Sequence, residues 1–281
     1  MTKVEIALKK KGGPLVGTCL HTYHPGFVEI AGRVGFDILW IDCEHLAIPE
    51  TQVGDLCRIV AGAGMLSMVR PPDANRTSVL RAAESGPDII FVPMVNSADT
   101  ARQLVAHAKF APVGNRGFFT STRAMGYGLV DAAERQRQIN DELCLLAQVE
   151  TMAAVERLDE IADVPGLNGL FIGPGDLSAS MGYVGRFQDP AVKKVIAQVV
   201  AAAKRKGLLT ALPVSPAEAG EWAAQGVDLI FCGSETQMLR ASLLSCFNAA
   251  QGALKATPGA RRAGSKREQA APAARVVRAA V

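Results

Sequence analysis

Short, unbroken apolar runs recur along the chain, and stretches with helical spacing separate them. The runs cover 15–20, 38–42, 66–69, 89–92, 143–149, 170–172, 208–212 and 229–232. Most runs do not alternate with polar residues, as is typical of parallel strands that are covered on both faces. Segments with helical spacing cover 26–34, 50–63, 75–84, 97–108, 152–162, 190–206, 216–225 and 235–254. Eight strands in alternation with eight helices predict a single-domain α/β fold, the (β/α)8 TIM barrel.

A tripeptide repeated before four of the strands supports this count. It reads Gly35-Phe36-Asp37, Gly86-Pro87-Asp88, Gly166-Leu167-Asn168 and Gly226-Val227-Asp228. Glycine in the first position can take the left-handed conformation that ends a helix, and the polar third residue turns the chain into the next strand. A doubly wound open sheet is the alternative fold. It is disfavoured because no G-x-G-x-x-G motif follows the first strand and the chain has no Walker loop.

The two ends of the chain differ in charge and pattern. Residues 1–11 form a short amphipathic pattern that ends at Gly12-Gly13 and lacks the apolar centre of a secretory signal. Residues 255–281 carry seven Lys or Arg and one Glu, so this segment is +6 and residues 1–254 are −3 within the net charge of +3. We therefore expect a barrel over 1–254, with no nucleic-acid partner, and a disordered basic tail over 255–281.

Composition places the chain among globular proteins with a large core. Of its 281 residues, 49% are apolar and 20% are charged, and no apolar run is long enough to predict a membrane helix. Six cysteines lie far apart, without a C-x-x-C pair, which favours reduced thiols and a cytoplasmic location. One long Gly-rich segment, 110–130, breaks the regular alternation, and loops of this length are usually functional or mobile.

Polar residues follow four of the predicted strands, at the ends where barrel active sites lie. His45 follows the second strand in the sequence Asp42-Cys43-Glu44-His45, and Arg70 ends the third. Gln148 and Glu150 end the fifth strand, and Asp176 follows the sixth. This set of a histidine, an arginine and carboxylates predicts an active site on one rim of the barrel.

The two carboxylates Glu150 and Asp176 indicate a metal site. Either residue alone could belong to a helix cap. Two acids held close together repel each other, however, and a divalent cation is the usual reason that a protein tolerates them. Because no Cys or His set lies nearby in the sequence, a hard ion such as Mg²⁺ or Mn²⁺ is favoured over zinc.

His45 and Arg70 are the remaining candidates for chemistry. His45 could be a structural imidazole, but Asp42 and Glu44 are possible orienting partners that favour a general base. Arg70 precedes two prolines, and a rigid guanidinium suits a carboxylate or an enolate oxygen. His21 and His24 follow the first strand and could line the pocket, with less support from the sequence.

These motifs resemble those of the HpcH/HpaI aldolase family, the metal-dependent class II pyruvate aldolases of the phosphoenolpyruvate/pyruvate barrel superfamily. The resemblance spans about residues 4–250. Its motifs are Gly35-Phe-Asp, Trp40-Ile-Asp-Cys-Glu-His45, Val69-Arg-Pro71, Phe91-Val-Pro-Met-Val95, Gln148-Val-Glu150 and Phe171-Ile-Gly-Pro-Gly-Asp-Leu-Ser178.

The resemblance implies a ligand set for the metal and for pyruvate. Glu150 and Asp176 would bind Mg²⁺, Mn²⁺ or Co²⁺. Gln148 would contact the substrate, and the backbone amides of Gly175 and Asp176 would hold the pyruvate carboxylate.

The resemblance also implies roles in catalysis. Arg70 would stabilise the enolate, and His45 would be the acid/base, acting with Asp42 or through metal-bound water. Two regions depart from the family pattern: Cys19 stands where members often have Trp, and the 115–128 segment contains Phe118-Phe119. Both regions are expected to face the aldehyde half of the substrate, so the identity of the aldehyde stays open.

The implied activity is reversible aldol cleavage of a 4-hydroxy-2-oxo acid to pyruvate, or a close 2-oxo acid, and an aldehyde. The rim motifs contain no lysine for a Schiff base, which argues against a class I aldolase. Decarboxylation of a 2-oxo diacid such as oxaloacetate is one alternative, and an acyl-CoA lyase is another. A non-catalytic binding barrel is disfavoured because all the motif residues are present. The family implies small-molecule partners, no membrane, and a homo-oligomer, often a hexamer.

Overall fold

Eight parallel strands form a closed barrel in chain order. We obtained a computed structural model in which residues 1–46 and 48–256 are described. The strands are β1 (Leu15–Leu20), β2 (Ile38–Asp42), β3 (Leu66–Arg70), β4 (Ile89–Val92), β5 (Cys144–Val149), β6 (Gly169–Ile172), β7 (Leu209–Val214) and β8 (Leu229–Ser234). Every neighbouring pair is parallel, and β8 pairs with β1 to close the ring. The predicted (β/α)8 barrel is confirmed.

Within residues 1–46 and 48–256, twelve α-helices accompany the strands. They are α1 (Lys3–Lys11), α2 (Pro25–Val34), α3 (Glu50–Gly62), α4 (Arg76–Glu84), α5 (Ala98–Ala108), α6 (Ala132–Glu142), α7 (Met152–Glu156), α8 (Leu158–Ala162), α9 (Pro174–Ser180), α10 (Pro190–Arg205), α11 (Ala219–Ala224) and α12 (Glu235–Ala256). Two of them, α6 and α9, are absent from the sequence-based prediction. The helix predicted over 152–162 is two short helices that meet at Arg157.

An aromatic layer fills the barrel interior. It consists of Trp40, Phe91, Phe171 and Phe231, which come from β2, β4, β6 and β8 and are at most 8% exposed. The Trp40 ring meets the other three edge-on at centroid distances of 5.2–5.9 Å. Side chains from alternate strands in one layer are the usual packing of such barrels. This layer forms an apolar floor below the carboxyl ends of the strands.

The repeated tripeptides close the amino end of the barrel. In each, the glycine has a φ between 66° and 106°, in the left-handed region. We call the third residues, Asp37, Asp88, Asn168 and Asp228, the four clamp residues. The side-chain oxygen of each accepts a hydrogen bond of 2.7–2.8 Å from a backbone N–H of the preceding strand, donated by Val16, Ser67, Leu145 and Thr210 respectively. The clamp residues thus fasten β1, β3, β5 and β7 to the turns that begin β2, β4, β6 and β8.

The N-terminal helix α1 covers this same end. Thr2 caps it, Gly12 ends it in the left-handed conformation, and fully buried Val4 packs into the cluster inside the barrel. The predicted amphipathic helix that ends at Gly12-Gly13 is therefore confirmed. Its apolar face serves as a lid on the core.

The chain divides into two compact units, 1–236 and the part from Gln237 onward. The described part of the second unit is α12 as far as Ala256, and Leu243 and Phe247 on this helix are exposed. The predicted division at 254 stays a prediction, and the basic tail lies outside the described residues from 257 onward. None of the helices in 1–46 and 48–256 has the length and apolarity needed to span a membrane.

Candidate active site

Arg70 and Asp42 form a buried, two-pronged ion pair at the carboxyl ends of β3 and β2. Nε of Arg70 donates to Oδ1 of Asp42 at 2.9 Å, and Nη2 donates to Oδ2 at 2.7 Å. Asp42 is 0% exposed and Arg70 is 3% exposed. Burial alone would raise the pKa of Asp42, but the hydrogen bonds and charge of Arg70 outweigh it and hold that pKa below its usual value. The pair therefore stays ionised and fixes the guanidinium.

The guanidinium of Arg70 also has a supported face and a third acidic neighbour. Its carbon lies 4.7 Å from the Trp40 ring centroid, above the aromatic layer. Nη1 lies 2.7 Å from Oε2 of Glu44 and 3.4 Å from Oε1 of Gln148. Burial raises the pKa of Glu44, and the charges of Asp42 and Asp176 raise it further, while Arg70 and His45 oppose that rise. Nη1 is thus the corner of the guanidinium that faces the other rim residues.

Glu150 lies in a narrow polar recess at the end of β5. Its Oε1 accepts from the backbone N–H of Met94 at 2.6 Å, and its Oε2 accepts from the Gln148 amide. Met94 has a φ of 55°, which turns its N–H toward the site. A Cβ at Gly173 would lie 2.7 Å from Oε2 of Glu150 and 2.9 Å from the Gln148 amide nitrogen. Glycine at 173 is therefore required to leave room for this recess.

Asp176 stands in the first turn of α9 and is exposed. Burial raises the pKa of Glu150 to about 7, and the nearby charges of Asp176 and Glu44 add to that rise. A buried carboxylate beside a second carboxylate, with only oxygen donors, suits a hard divalent cation. Within 1–46 and 48–256, no three His, Cys, Asp or Glu side chains converge in a way that could hold a metal.

His45 lies at the solvent edge of the rim. Its side chain is 61% exposed, and its Nε2 lies 3.9 Å from Oε2 of Glu44. Of the two orienting partners considered from the sequence, Glu44 is the neighbour in the structure, because both oxygens of Asp42 are engaged by Arg70.

A second histidine, His21, is held more firmly than the sequence suggested. Its Nδ1 lies 3.2 Å from Oγ1 of Thr236, and its Nε2 lies 3.9 Å from Oδ2 of Asp42. Glu235, which is 0% exposed, accepts the backbone N–H groups of His21 and Thr22 at 2.8 Å each. Glu235 was not predicted from the sequence, because it lies three residues beyond the end predicted for the eighth strand, although it directly follows β8 in the structure. The signal was available in the polar Ser234-Glu235 pair after an apolar run.

The long segment 110–130 packs through two arginines against the end of α4 and the turn that follows it. The expectation that this segment faces the aldehyde half of the substrate stays a prediction. Nη1 of Arg123 donates to the carbonyl oxygens of Ser85 and Gly86, in the turn between α4 and β4. Arg116 pairs with Glu84 at the end of α4. The segment lies between α5 and α6, on the connection from α5 to β5, and it contacts the turn that leads into β4 at the amino end of the barrel.

The chain matches a known protein family over most of its length. The model of the HpcH/HpaI aldolase/citrate lyase family matches residues 17–242. The chain is 35% identical over 234 residues to the 2-keto-3-deoxy-L-rhamnonate aldolase of Escherichia coli O17:K52:H18, covering 82% of this chain and 86% of that protein.

Solved structures agree in fold. The crystal structure of the HpcH/HpaI aldolase from Desulfitobacterium hafniense DCB-2 superimposes with a TM-score of 0.81 at 30% identity, over 91% of this chain and 98% of that one. A family protein from Burkholderia cenocepacia J2315 gives a TM-score of 0.82 at 27% identity, over 89% and 100%. The resemblance and the aldolase class inferred from the motifs are confirmed, and the chain belongs to the HpcH/HpaI aldolase/citrate lyase family.

Proposed function

We propose that this enzyme cleaves a 4-hydroxy-2-oxo acid to pyruvate and an aldehyde with the help of a divalent cation. The observation that carries the proposal is the juxtaposition, on one rim, of Glu150 beside Asp176 with an Arg70 that Asp42 holds in place. Cleavage of the C3–C4 bond leaves negative charge on the 2-oxo group, and the rim supplies fixed positive charge there.

Glu150 and Asp176 would hold the cation, Mg²⁺, Mn²⁺ or Co²⁺. The bound ion polarises the keto group as a Lewis acid. The support is the pKa of about 7 for Glu150, which burial and the neighbouring carboxylates raise, and which a bound cation would lower again. The amide of Gln148 orients the Glu150 carboxylate from one side, as the N–H of Met94 does from the other.

The pyruvate half is held by donors from β5 and α9. Gly175 and Asp176 lie in the first turn of α9, where backbone N–H groups have no carbonyl partner within the helix. Those amides suit the substrate carboxylate, and Gln148 contacts the same half. This placement puts the 2-oxo group between Glu150 and the Nη1 corner of Arg70.

Arg70 stabilises the negative charge of the enolate, and His45 takes the proton of the 4-hydroxyl group. Arg70 donates from Nη1 to the oxygen that becomes the enolate, while Asp42 keeps Nε and Nη2 occupied and the fork rigid. His45 removes the proton from the 4-hydroxyl group as the carbon–carbon bond breaks, with Glu44 as its acidic neighbour. Asp42 then acts as a positioning residue for Arg70.

Three further properties complete the proposal. The Escherichia coli relative makes 2-keto-3-deoxy sugar acids the first substrates to try. A homo-oligomer, such as a hexamer, is supported by the exposed apolar side chains of Phe119 and Leu129 in one unit and Phe247 in the other. A cytoplasmic location is supported by the six free cysteines.

The test is an assay of pyruvate release on metal-free enzyme. The protein is dialysed against EDTA until its metal content is near zero and is then offered a panel of 4-hydroxy-2-oxo acids and oxaloacetate, with and without Mn²⁺. We expect no release without metal and release from a 2-keto-3-deoxy sugar acid with Mn²⁺. Full activity in the metal-free sample would overturn the metal assignment, and pyruvate from oxaloacetate alone would make the enzyme a decarboxylase.

A further inference from the structure

A cavity of about 190 Å³ lies at the amino end of the barrel, away from the rim. We call it the basic cavity. Its walls come from α1, the start of β3, the turn before β4, the 110–130 segment and α6, and they include Lys3, Ser67, Gly86, Asp88, Arg123 and Arg135. No residue of the proposed active site lines it.

Positive charge exceeds negative charge around the basic cavity. Three cations line it, and Asp88 is its one carboxylate. Asp88 is neutralised by Lys3 at 2.8 Å. Within residues 1–46 and 48–256, neither Arg123 nor Arg135 has a carboxylate oxygen within ion-pairing distance. The cavity therefore carries a charge of +2, inside a body, residues 1–254, whose net charge is −3.

The two unpaired guanidinium groups are held in place by neutral acceptors. Nη1 of Arg123 donates to the carbonyl oxygens of Ser85 at 2.8 Å and Gly86 at 2.6 Å. Nε of Arg135 donates to the carbonyl of Ala124 at 2.7 Å, and its Nη1 donates to the Gln138 side chain. These bonds use some of the five N–H donors of each guanidinium group and fix its orientation. They leave the charge itself uncompensated.

The surrounding backbone is fitted to these side chains. Gly86 has a φ of 66°, and a Cβ there would lie 2.7 Å from Nη1 of Arg123, so only glycine accommodates the arginine. Arg116, which lines a neighbouring cavity together with Arg135, pairs with Glu84. Arg123 and Arg135 line the basic cavity without such a partner, and an anion between them would compensate their charge.

We propose that the basic cavity binds a small dianion of the phosphate class, either inorganic phosphate or a short phosphate monoester. The guanidinium groups of Arg123 and Arg135 come from separate elements. Each can donate charge-assisted hydrogen bonds to two oxygens of a tetrahedral dianion. The volume admits a phosphate with a few carbon atoms and excludes a polynucleotide. The bound anion links α6, the 110–130 segment and α1, and stabilises the amino end of the barrel.

The test measures anion binding by the full chain, freed of metal with EDTA so that the rim holds no cation for phosphate to join. Thermal unfolding and titration calorimetry are carried out with phosphate, glycerol phosphate and succinate against KCl of equal ionic strength. We expect phosphate to raise Tm progressively with concentration, and succinate to raise it less. If phosphate raises Tm more than glycerol phosphate does, the free ion is the ligand. If glycerol phosphate raises Tm more, the ligand is the monoester.

Variants locate the binding. Replacing both residues (Arg123→Gln with Arg135→Gln) should weaken phosphate binding at least about tenfold. Arg137→Gln, on the exposed face of the same helix, should leave binding unchanged. If the double variant does not fold, Arg123→Lys with Arg135→Lys keeps the charges, and a severalfold weaker affinity supports the site. Equal affinity in wild type and either double variant, or no Tm shift beyond KCl, overturns the proposal.

Discussion

The two ends of the barrel use acidic residues in opposite ways. At the amino end, Asp228 receives the N–H of Thr210 and an ion pair from Lys204, so its oxygens are used to hold strands together. At the carboxyl end, Glu150 receives two donors but lies near the carboxylates of Asp176 and Glu44, and its pKa rises to about 7. The carboxylates of the clamp residues are therefore satisfied within the protein, whereas Glu150 at the carboxyl end lies among carboxylates that raise its pKa.

The largest expected effect comes from removing charge at the carboxyl end. Glu150→Gln keeps an amide oxygen to accept the N–H of Met94 but removes the carboxylate proposed to hold the metal. We expect kcat/KM for pyruvate release to fall at least about 10³-fold, since Lewis-acid stabilisation is worth several kcal/mol. The Tm of the metal-free variant should equal or exceed that of the metal-free wild type, because one of the repelling charges has gone. A clear loss of Tm would show that Glu150 is structural, as the clamp residues are.

The next largest effect shows which of the two rim histidines, His45 or His21, is the general base. His45→Gln should reduce aldol cleavage about 10²-fold, because a general base is lost, and should reduce oxaloacetate decarboxylation far less, because that reaction has no hydroxyl proton. His21→Gln is the matched variant. If His21→Gln gives the selective loss instead, the firmly held imidazole beside Asp42 is the base, and His45 is a solvent-edge residue.

Replacing a clamp residue should lower stability and leave activity nearly unchanged, the reverse of the effect expected for Glu150→Gln. Asp228→Ala leaves the N–H of Thr210 without its acceptor and Lys204 without its ion-pair partner, and is expected to lower the free energy of unfolding by about 1–3 kcal/mol. Its kcat at 25 °C should change less than twofold. Asn168→Asp is the control, since a carboxylate can still accept from Leu145. Denaturant unfolding with a parallel activity assay measures both, and a tenfold loss of kcat in Asp228→Ala would break the comparison.

A stability effect of similar size, without an expected change in activity, concerns pH and the buried Lys109. Lys109 is buried, its Nζ donates to the carbonyls of Asn140 and Leu143, and burial lowers its pKa to about 8. The unfolded chain, with a lysine pKa near 10.4, binds more protons than the folded one between these values, so Lys109 favours the folded state increasingly as pH rises from about 8 to about 10.5. Relative to Lys109→Met, wild-type stability should rise by about 1–3 kcal/mol over that window, measured by urea unfolding. A flat difference would mean that the amine is not desolvated.

The fold was largely predictable because its strands are unbroken apolar runs. Helix α6 was missed because Ile139 is its one buried residue, so it lacks an apolar period. Its signal was the cap: the side chain of Asp131 accepts the N–H of Glu134. Helix α9 was missed because it has seven residues and begins at Pro174.

The site was predictable where polar residues directly end a strand, as Arg70 and Glu150 do. Sequence could not show that Asp42 would bind Arg70 rather than orient His45, since that depends on the pairing of β2 with β3, which sets Asp42 opposite Arg70. The hydrogen bond from the N–H of Met94 to Glu150 depends on a φ of 55° at Met94, which cannot be predicted from the residue type. The position of the 110–130 segment, by contrast, follows from its place on the connection from α5 to β5, which returns the chain to the amino end of the barrel.

The clamp residues also divide the barrel into four nearly equivalent modules. Each clamp joins residues only 18–23 positions apart and lies within one strand–helix–strand segment. Four local loops of this kind, closed at small entropic cost, can form before the ring does. The boundaries between modules, after β2, β4 and β6, are then natural crossover points for chimeras with relatives of the same fold. A chimera joined at these points would keep the hydrogen bonds of every clamp residue, while its rim would combine residues from two related proteins.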